Sequence, residues 1–398
     1  MGAAPATDAA EWIWFQLMFG IGTRRSHVLL EYFSSPGDIL EGIKRKNQVL
    51  TMLREEELIS SDRVMGQALE ILRRTGRKGC AVVTPDHPDY PPLLKNIFAR
   101  PAALYVKGDL SCLKDSLVIA MVGTRSYTDY GRDAAKALAS ALAENGVAVV
   151  SGLAKGIDSI CHEAALGAGG KSVGILGCGI DVDYPKGSAP LKRALCQNGA
   201  VLSEYPLGFE PMKGNFPMRN RIISGMSHGT VVVEADMKSG SIITATHASE
   251  QGREVFAVPG SIFSIREQGT HRLIKEGAKL TESAADILEE FSGSHFAELI
   301  PAKGRRAGED SFLAVKQLAL ETAAPTDKPR ENSPGDKRLP EEISAAAREV
   351  RGLMGQEPAS FDSIAARCDL AAGDIQTALT ELEIYGLIRG YPGRRFSL

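Results

Sequence analysis

Three short segments of this chain each combine glycine, a hydroxyl residue and a cation. They are Val122-Gly123-Thr124-Arg125-Ser126, Ser151-Gly152-Leu153-Ala154-Lys155-Gly156-Ile157-Asp158 and Lys238-Ser239-Gly240-Ser241. Each follows an apolar run of strand length and opens a stretch of helical composition. Glycine allows a ligand close to the backbone, amides at a helix N-terminus and hydroxyls donate hydrogen bonds, and Arg125, Lys155 and Lys238 add charge. That combination suits phosphate. One such loop is commonplace, because Gly and Ser also serve as turn and cap residues. Three loops with matching cations point to an extended polyanion track. A fourth segment, Phe216-Pro217-Met218-Arg219-Asn220-Arg221, places two guanidinium groups within one helical turn. Their simpler reading is a solvated helix face. Phe216 beside them either stacks on a base, as in single-strand binders, or belongs to the core.

Other nucleotide chemistry fails on inspection. Gly167-Ala168-Gly169-Gly170-Lys171-Ser172 resembles a phosphate-binding loop, but Ala165 stands where its first glycine belongs. The order is also inverted, with the strand after the loop instead of before it. Gly177-Cys178-Gly179 begins like a dinucleotide fingerprint, yet Val182 occupies the third glycine position. His162, His228, His247 and His271 are dispersed, and none of the six cysteines forms a C-x-x-C pair, so no metal centre, disulfide framework or cofactor is signalled. Asp158 and His162 share a helix face at i and i+4, which reads as a structural contact before an acid/base pair. Glu204 and Glu234 end strands without an evident nucleophile, and are read as structural or loop-orienting acceptors. No catalytic constellation emerges, and a binding protein is expected, not an enzyme.

These loops need a sheet to bring them together. Strands are expected at Leu117–Val122, Val147–Val150, Ser172–Leu176, Ala200–Ser203, Thr230–Glu234 and Glu254–Val258, with Ala-rich helical stretches between them. Such alternation implies right-handed βαβ units and a mainly parallel, helix-covered α/β sheet. Ligands of such sheets bind at the C-terminal strand ends, where all three loops fall. The Rossmann-like domain is assigned to residues 79–291, its first part (80–116) being an extended lead-in. Residues 1–78 read as a helical module, of helix-hairpin-helix or sterile-alpha-motif kind, around the turn Gly20-Ile21-Gly22. A packing role for that turn is the simpler reading than phosphate binding. Residues 292–342 are polar and Pro-containing, the composition of a flexible linker. Three helices and a hairpin over 343–398 follow the winged-helix plan.

The chain has 398 residues with 43% hydrophobic and 24% charged, the balance of a globular protein of two or three domains. Its net charge of −3 announces no nucleic-acid binder, so any DNA site must be a local concentration of cations. No apolar run reaches the roughly 20 residues of a membrane span. The first residues lack a basic segment followed by an apolar core, and a cytoplasmic location is expected.

Taken in order, Val122-Gly123-Thr124-Arg125, Val149 to Asp158, Phe216 to Ile223, Val233-Glu234-Ala235, Ser239 to Ala245 and Val258-Pro259-Gly260 resemble the successive signatures of the DprA/Smf family of natural transformation. The resemblance spans about residues 85–290, and Thr124 stands where many members carry Ser. It implies an extended Rossmann domain without nucleotide chemistry, a pocket for single-stranded DNA, dimerisation through that domain and delivery of the strand to the RecA recombinase. The implied contacts are Arg125, Lys155, Arg219, Arg221 and Lys238, with Gly123, Thr124, Ser151, Gly152, Gly156, Phe216, Asn220, Ser239, Gly240 and Ser241 completing the surface. Two rivals compete. One is a nucleotide-processing hydrolase of phosphoribohydrolase type, whose glycine run is missing around Gly229-Thr230. The other is a duplex-DNA regulator using the winged helix, which Arg389, Arg394 and Arg395 would permit.

Overall fold

Apolar runs without alternation, such as Val118–Val122 and Val147–Val150, belong in strands covered on both faces. The computed structural model places them at the centre of a nine-stranded sheet. It describes residues 6–45, 52–293, 297–299, 343–355, 359–368, 370–385, 387–391 and 395–397. Most of the linker expected over 292–342, and Arg394, lie outside these residues. The chain divides into two units, 1–323 and 324–398.

In the first unit the strands are β1 (Ala81–Val83), β2 (Leu104–Gly108), β3 (Val118–Val122), β4 (Ala148–Ser151), β5 (Ser172–Leu176), β6 (Gly199–Ser203), β7 (Gly229–Val232), β8 (Glu254–Ala257) and β9 (Lys279–Leu280). Their order is β1-β2-β6-β5-β4-β3-β7-β8-β9. Strands β6 to β9 run parallel, and β2 and β1 are added antiparallel at the edge. The helices are α1 (Ala6–Phe19), α2 (Arg24–Tyr32), α3 (Pro36–Arg45), α4 (Glu55–Arg77), α5 (Asp129–Glu144), α6 (Ile157–Gly167), α7 (Ala189–Gln197), α8 (Asn215–Gly225), α9 (Gly240–Glu250), α10 (Gln268–Lys275) and α11 (Ala284–Ser292). Period-two alternation divides β3 between two layers. Ile119 and Met121 pack with α5, α6 and α11, whereas Val118, Ala120 and Val122 pack with α8, α9 and α10. From β3 the chain winds outward to β6, then returns to the other side of β3 for β7. The connections after β3 and β7 therefore diverge to opposite faces and leave a crevice at their C-terminal ends.

The helical residues at the N-terminus have their own core around Trp12, Trp14 and Phe15, and they pack against the sheet. Trp12 Nε1 donates to Asp86 at 2.8 Å, and Gln16 Nε2 donates to the Glu204 carbonyl at 3.0 Å. The Gly20-Ile21-Gly22 turn is spent on this packing. Gly22 has φ +63°, and a Cβ on it would lie 2.6 Å from Met218 and 2.8 Å from the Arg221 guanidinium.

The second unit contains α12 (Ala345–Gly352), β10 (Ala359–Ser360), α13 (Phe361–Ala365), α14 (Ala372–Ile384), β11 (Arg389–Tyr391) and β12 (Arg395–Ser397). The hairpin β11-β12 gains β10 as a third strand, giving a winged helix closed over Val350, Leu379 and Leu382. Among the described residues no helix is long and apolar enough to cross a membrane.

Candidate nucleic-acid interface

The crevice at the C-terminal strand ends is a cleft of about 600 Å³. Three glycine-hydroxyl-cation segments were expected there, and all three reach it, the one after β4 only through Ala154 and Asp158. Gly123, Thr124 and Arg125 come from the loop after β3, and Ser239, Gly240 and Ser241 open α9. Phe216, Arg219 and Asn220 of α8 add to the lining.

The β3 loop is held from behind. Glu234, fully buried after β7, accepts from Thr128 N at 2.9 Å and Thr128 Oγ1 at 3.0 Å. Its carbonyl accepts from Thr124 N at 2.8 Å. Thr128 in turn caps α5 by accepting from Gly131 N. Glu234 thus orients the loop carrying Thr124 and Arg125. At the other wall Ser239 caps α9, accepting from Ser241 N, and Asn220 Nδ2 donates to the Gly240 carbonyl at 3.2 Å. The N-terminal end of α9 thus lies on the cleft wall, where the helix dipole favours anions.

Arg125 is exposed, and its guanidinium carbon lies 5.4 Å from the centre of the Phe216 ring. Phe216 is half-buried over Gly177, with Tyr184 at 5.3 Å between ring centroids and a 36° tilt. A cation and two aromatic rings thereby share one wall, where cation–π attraction holds the guanidinium over Phe216.

Arg219 lies at the floor and is buried, 4% exposed. Its guanidinium donates to the carbonyls of Gly152 and Ile175. Burial lowers its pKa from the ordinary range, which the Asp158 carboxylate opposes. Burial likewise pushes the Asp158 carboxyl up, against the pull of Arg219. Gly152 belongs to this packing, since a Cβ there would lie 2.6 Å from Asp158 and 2.7 Å from Arg219. Gly156, φ +95°, lies against the backbone of Thr124 and Arg125, 2.5 Å from a would-be Cβ. Both glycines interlock loops and do not line the cleft.

Several other residues singled out from sequence stand elsewhere. Ser151 is buried, its hydroxyl donating to the Met121 carbonyl at 2.6 Å. Lys155 and Lys238 are exposed beside the lining residues Ala154 and Ser239, outside the lining itself. Arg221 departs furthest from expectation. Two residues beyond Arg219, it is turned about 200° around the helix and faces away from the cleft. Its Nη2 donates to both carboxylate oxygens of Glu204 at 2.8 Å, with both side chains buried. Burial raises the Glu204 pKa and the Arg221 charge counters it.

Sequence reasoning passed over three lining residues, Lys213, Tyr184 and Asp236, the last accepting from Lys238 N at 2.7 Å. Lys213 and Tyr184 come from the β6–α8 and β5–α7 connections, and no spacing ties them to the glycine loops. Asp158 lines the cleft but His162 does not join it there: His162 Nδ1 meets Ser172 Oγ at 2.7 Å in the interior, where burial lowers the His162 pKa to about 3. Among the described residues no group of three His, Cys, Asp or Glu side chains could hold a metal ion.

The motif-bearing residues fall within a match to known proteins. Residues 81–292 match the profile of the DNA recombination-mediator protein A family, and residues 334–394 that of the DprA winged helix domain. A Synechocystis protein Smf is 32% identical over 401 residues, covering 98% of both chains. DNA processing protein DprA of Streptococcus pneumoniae is 47% identical over 202 residues, 51% of this chain and 71% of that one. An X-ray structure of the streptococcal protein aligns with a TM-score of 0.59 and 34% identity, covering 73% of this chain and 99% of the other. With its parallel sheet, cleft loops and terminal winged helix, this chain belongs to the DNA recombination-mediator protein A, or DprA/Smf, family.

Proposed function

We propose that the protein binds single-stranded DNA in this cleft, protects it, and passes it to the RecA recombinase. The observation that carries the reading is the Arg125 guanidinium stacked over Phe216 beside Tyr184, opposite the amides and hydroxyls of Ser239 to Ser241. Aromatic rings accept the free faces of unpaired bases, and the cations and amides accept phosphates. Bases in a duplex offer no such faces, so single strands are preferred. Arg125, Lys213 and the α9 amides are the proposed phosphate contacts, with Lys155 and Lys238 at the rim. Arg219 shapes the floor, and Arg221 has a structural role.

Delivery to RecA rests on the recombination-mediator family. For a homodimer, the supporting observation is the segment between β8 and α10, where Ile262, Phe263 and Ile265 are 79%, 91% and 71% exposed. Apolar side chains clustered in this way mark interaction sites. We read the protein as a binding protein and not a hydrolase, because Asp158 is engaged with Arg219 and the Ala154 amide, and His162 with Ser172. Release of free base from nucleoside monophosphates would contradict that. The duplex-regulator alternative is disfavoured by α14, the helix that a winged helix places in the DNA groove. It carries Asp374, Glu381 and Glu383 and no Lys or Arg.

The test is fluorescence anisotropy of equal-length single- and double-stranded oligonucleotides without ATP or metal. Preference for the single strand is expected, and for Arg125→Ala a log–log salt slope flatter by roughly 0.7. Equal affinity for duplex, or strict ATP dependence, refutes the reading.

A further inference from the structure

A second cavity, of about 490 Å³, lies on the outer side of the segment that carries Tyr184. Four cations line it: Lys78 at the end of α4, Lys107 on β2, and Lys192 and Arg193 on α7. None of the four forms an ion pair with a carboxylate among the described residues, so their charge is not spent internally. Two carboxylates share the lining. Asp181 is already committed, accepting from Gly208 N at 2.7 Å and facing Arg74 at 3.9 Å. The lining therefore carries four cations against two carboxylates, in a protein whose net charge is −3.

The two cavities share a wall. Residues 180–183 line the second and Tyr184 lines the first, one peptide unit further on. Lys192 Nζ pins this wall by donating to the Val182 carbonyl at 2.7 Å. A strand that stacks its last base on Tyr184 is therefore at the lip of the second cavity. A cation-lined hollow that adjoins a phosphate-binding cleft along residues 180–184 is what a polyanion longer than the cleft would follow.

We propose that the second cavity is an extension of the single-strand path, in which Lys107, Arg193 and Lys78 hold the phosphodiester backbone beyond Tyr184. The inference rests on the cleft reading above and adds a length dependence to it. Short strands fill only the cleft, whereas longer ones engage both sites.

The experiment compares the full chain with its Lys107→Gln, Arg193→Gln double variant on oligothymidylates of about 6 and about 20 nucleotides across a salt series. Loss of two phosphate contacts flattens the log–log slope by roughly 1.4. A fourfold rise in salt then weakens wild-type binding about sevenfold more than binding by the variant, on the long strand only. The short strand binds both proteins alike. In parallel, maleimide labelling of Cys80 and Cys196, which also line the cavity, slows in the presence of the long strand and not the short one. Equal slopes on the long strand, or unprotected thiols, overturn the proposal. So does an effect confined to thymidine monophosphate, which would assign the cavity to a free nucleotide. If wild type binds neither strand, the cleft reading itself fails. If Arg125→Ala weakens both lengths while the double variant changes neither, only the extension fails.

Discussion

Replacing Arg221 by Ala separates a structural guanidinium from a DNA-binding one. In the folded protein Arg221 donates to both oxygens of Glu204 at 2.8 Å, and the two side chains are 6% and 2% exposed. Removing the cation leaves a buried carboxylate without its counter-charge, which costs about 3–5 kcal/mol. For a unit of this size each kcal/mol corresponds to about 2–4 °C in melting temperature, so a fall of about 6–20 °C is expected. The carboxylate has a partial escape by taking up a proton, which burial already favours, so the loss should lessen toward acid pH. The assay is thermal unfolding together with anisotropy on a single strand below the transition. The predicted outcome is a destabilised protein whose folded fraction binds DNA within about twofold of wild type. The double variant Glu204→Gln, Arg221→Met should recover most of the stability, because exchanging a buried pair for neutral groups is far cheaper than breaking it. An Arg221→Ala protein with unchanged melting temperature and the affinity loss of Arg125→Ala would refute this reasoning.

Three further outcomes are expected. Phe216→Ala should cost about 1–3 kcal/mol of strand affinity, about 5- to 150-fold, with an unchanged salt slope, since a stacked ring carries no charge; a flattened slope in the anisotropy series would contradict it. Burial and the neighbouring Glu234 carboxylate push Glu267 up to about 7 from 4.5. The folded state then holds a proton that the unfolded chain releases, so stability falls as pH rises through that window, and Glu267→Gln should gain about 1–2 kcal/mol on wild type at pH 8 relative to pH 5. Denaturant curves that shift equally at both pH values would show otherwise. Phe263→Asp should convert the proposed dimer to monomer in light scattering without loss of fold, because this side chain is 91% exposed; a dimer of unchanged stability would move the interface elsewhere.

The sheet was legible because its strands are continuous apolar runs between helical stretches. Ser172–Leu176 has the expected bounds, and β3, β4, β6, β7 and β8 differ by one or two residues. Strand β9, only two residues long, and β10, which completes the hairpin, carry no such pattern. In the cleft, loops attached directly to strand ends were found because a parallel sheet brings those ends to one edge. The Arg-Asn-Arg sequence misled because proximity along a helix is not a shared face: Arg219 and Arg221 point to opposite sides. Lys213 and Tyr184 escaped notice because their place depends on how two long connections fold over the sheet. The glycines at 152 and 156 were expected beside a ligand, and in the structure they pack closely against Arg219 and the β3 loop.

The central claim, that the cleft under Arg125 holds a single DNA strand, is tested most directly by photo-crosslinking. A single-stranded oligonucleotide carrying 5-iodouracil is bound to the full chain without nucleotide, irradiated, and its adducts are mapped by mass spectrometry. Stacking of a base on the aromatic wall predicts adducts on Phe216 or Tyr184, lost at high salt and in Arg125→Ala. Adducts confined to the winged helix, residues 343–397, with none on the cleft wall, would contradict the account.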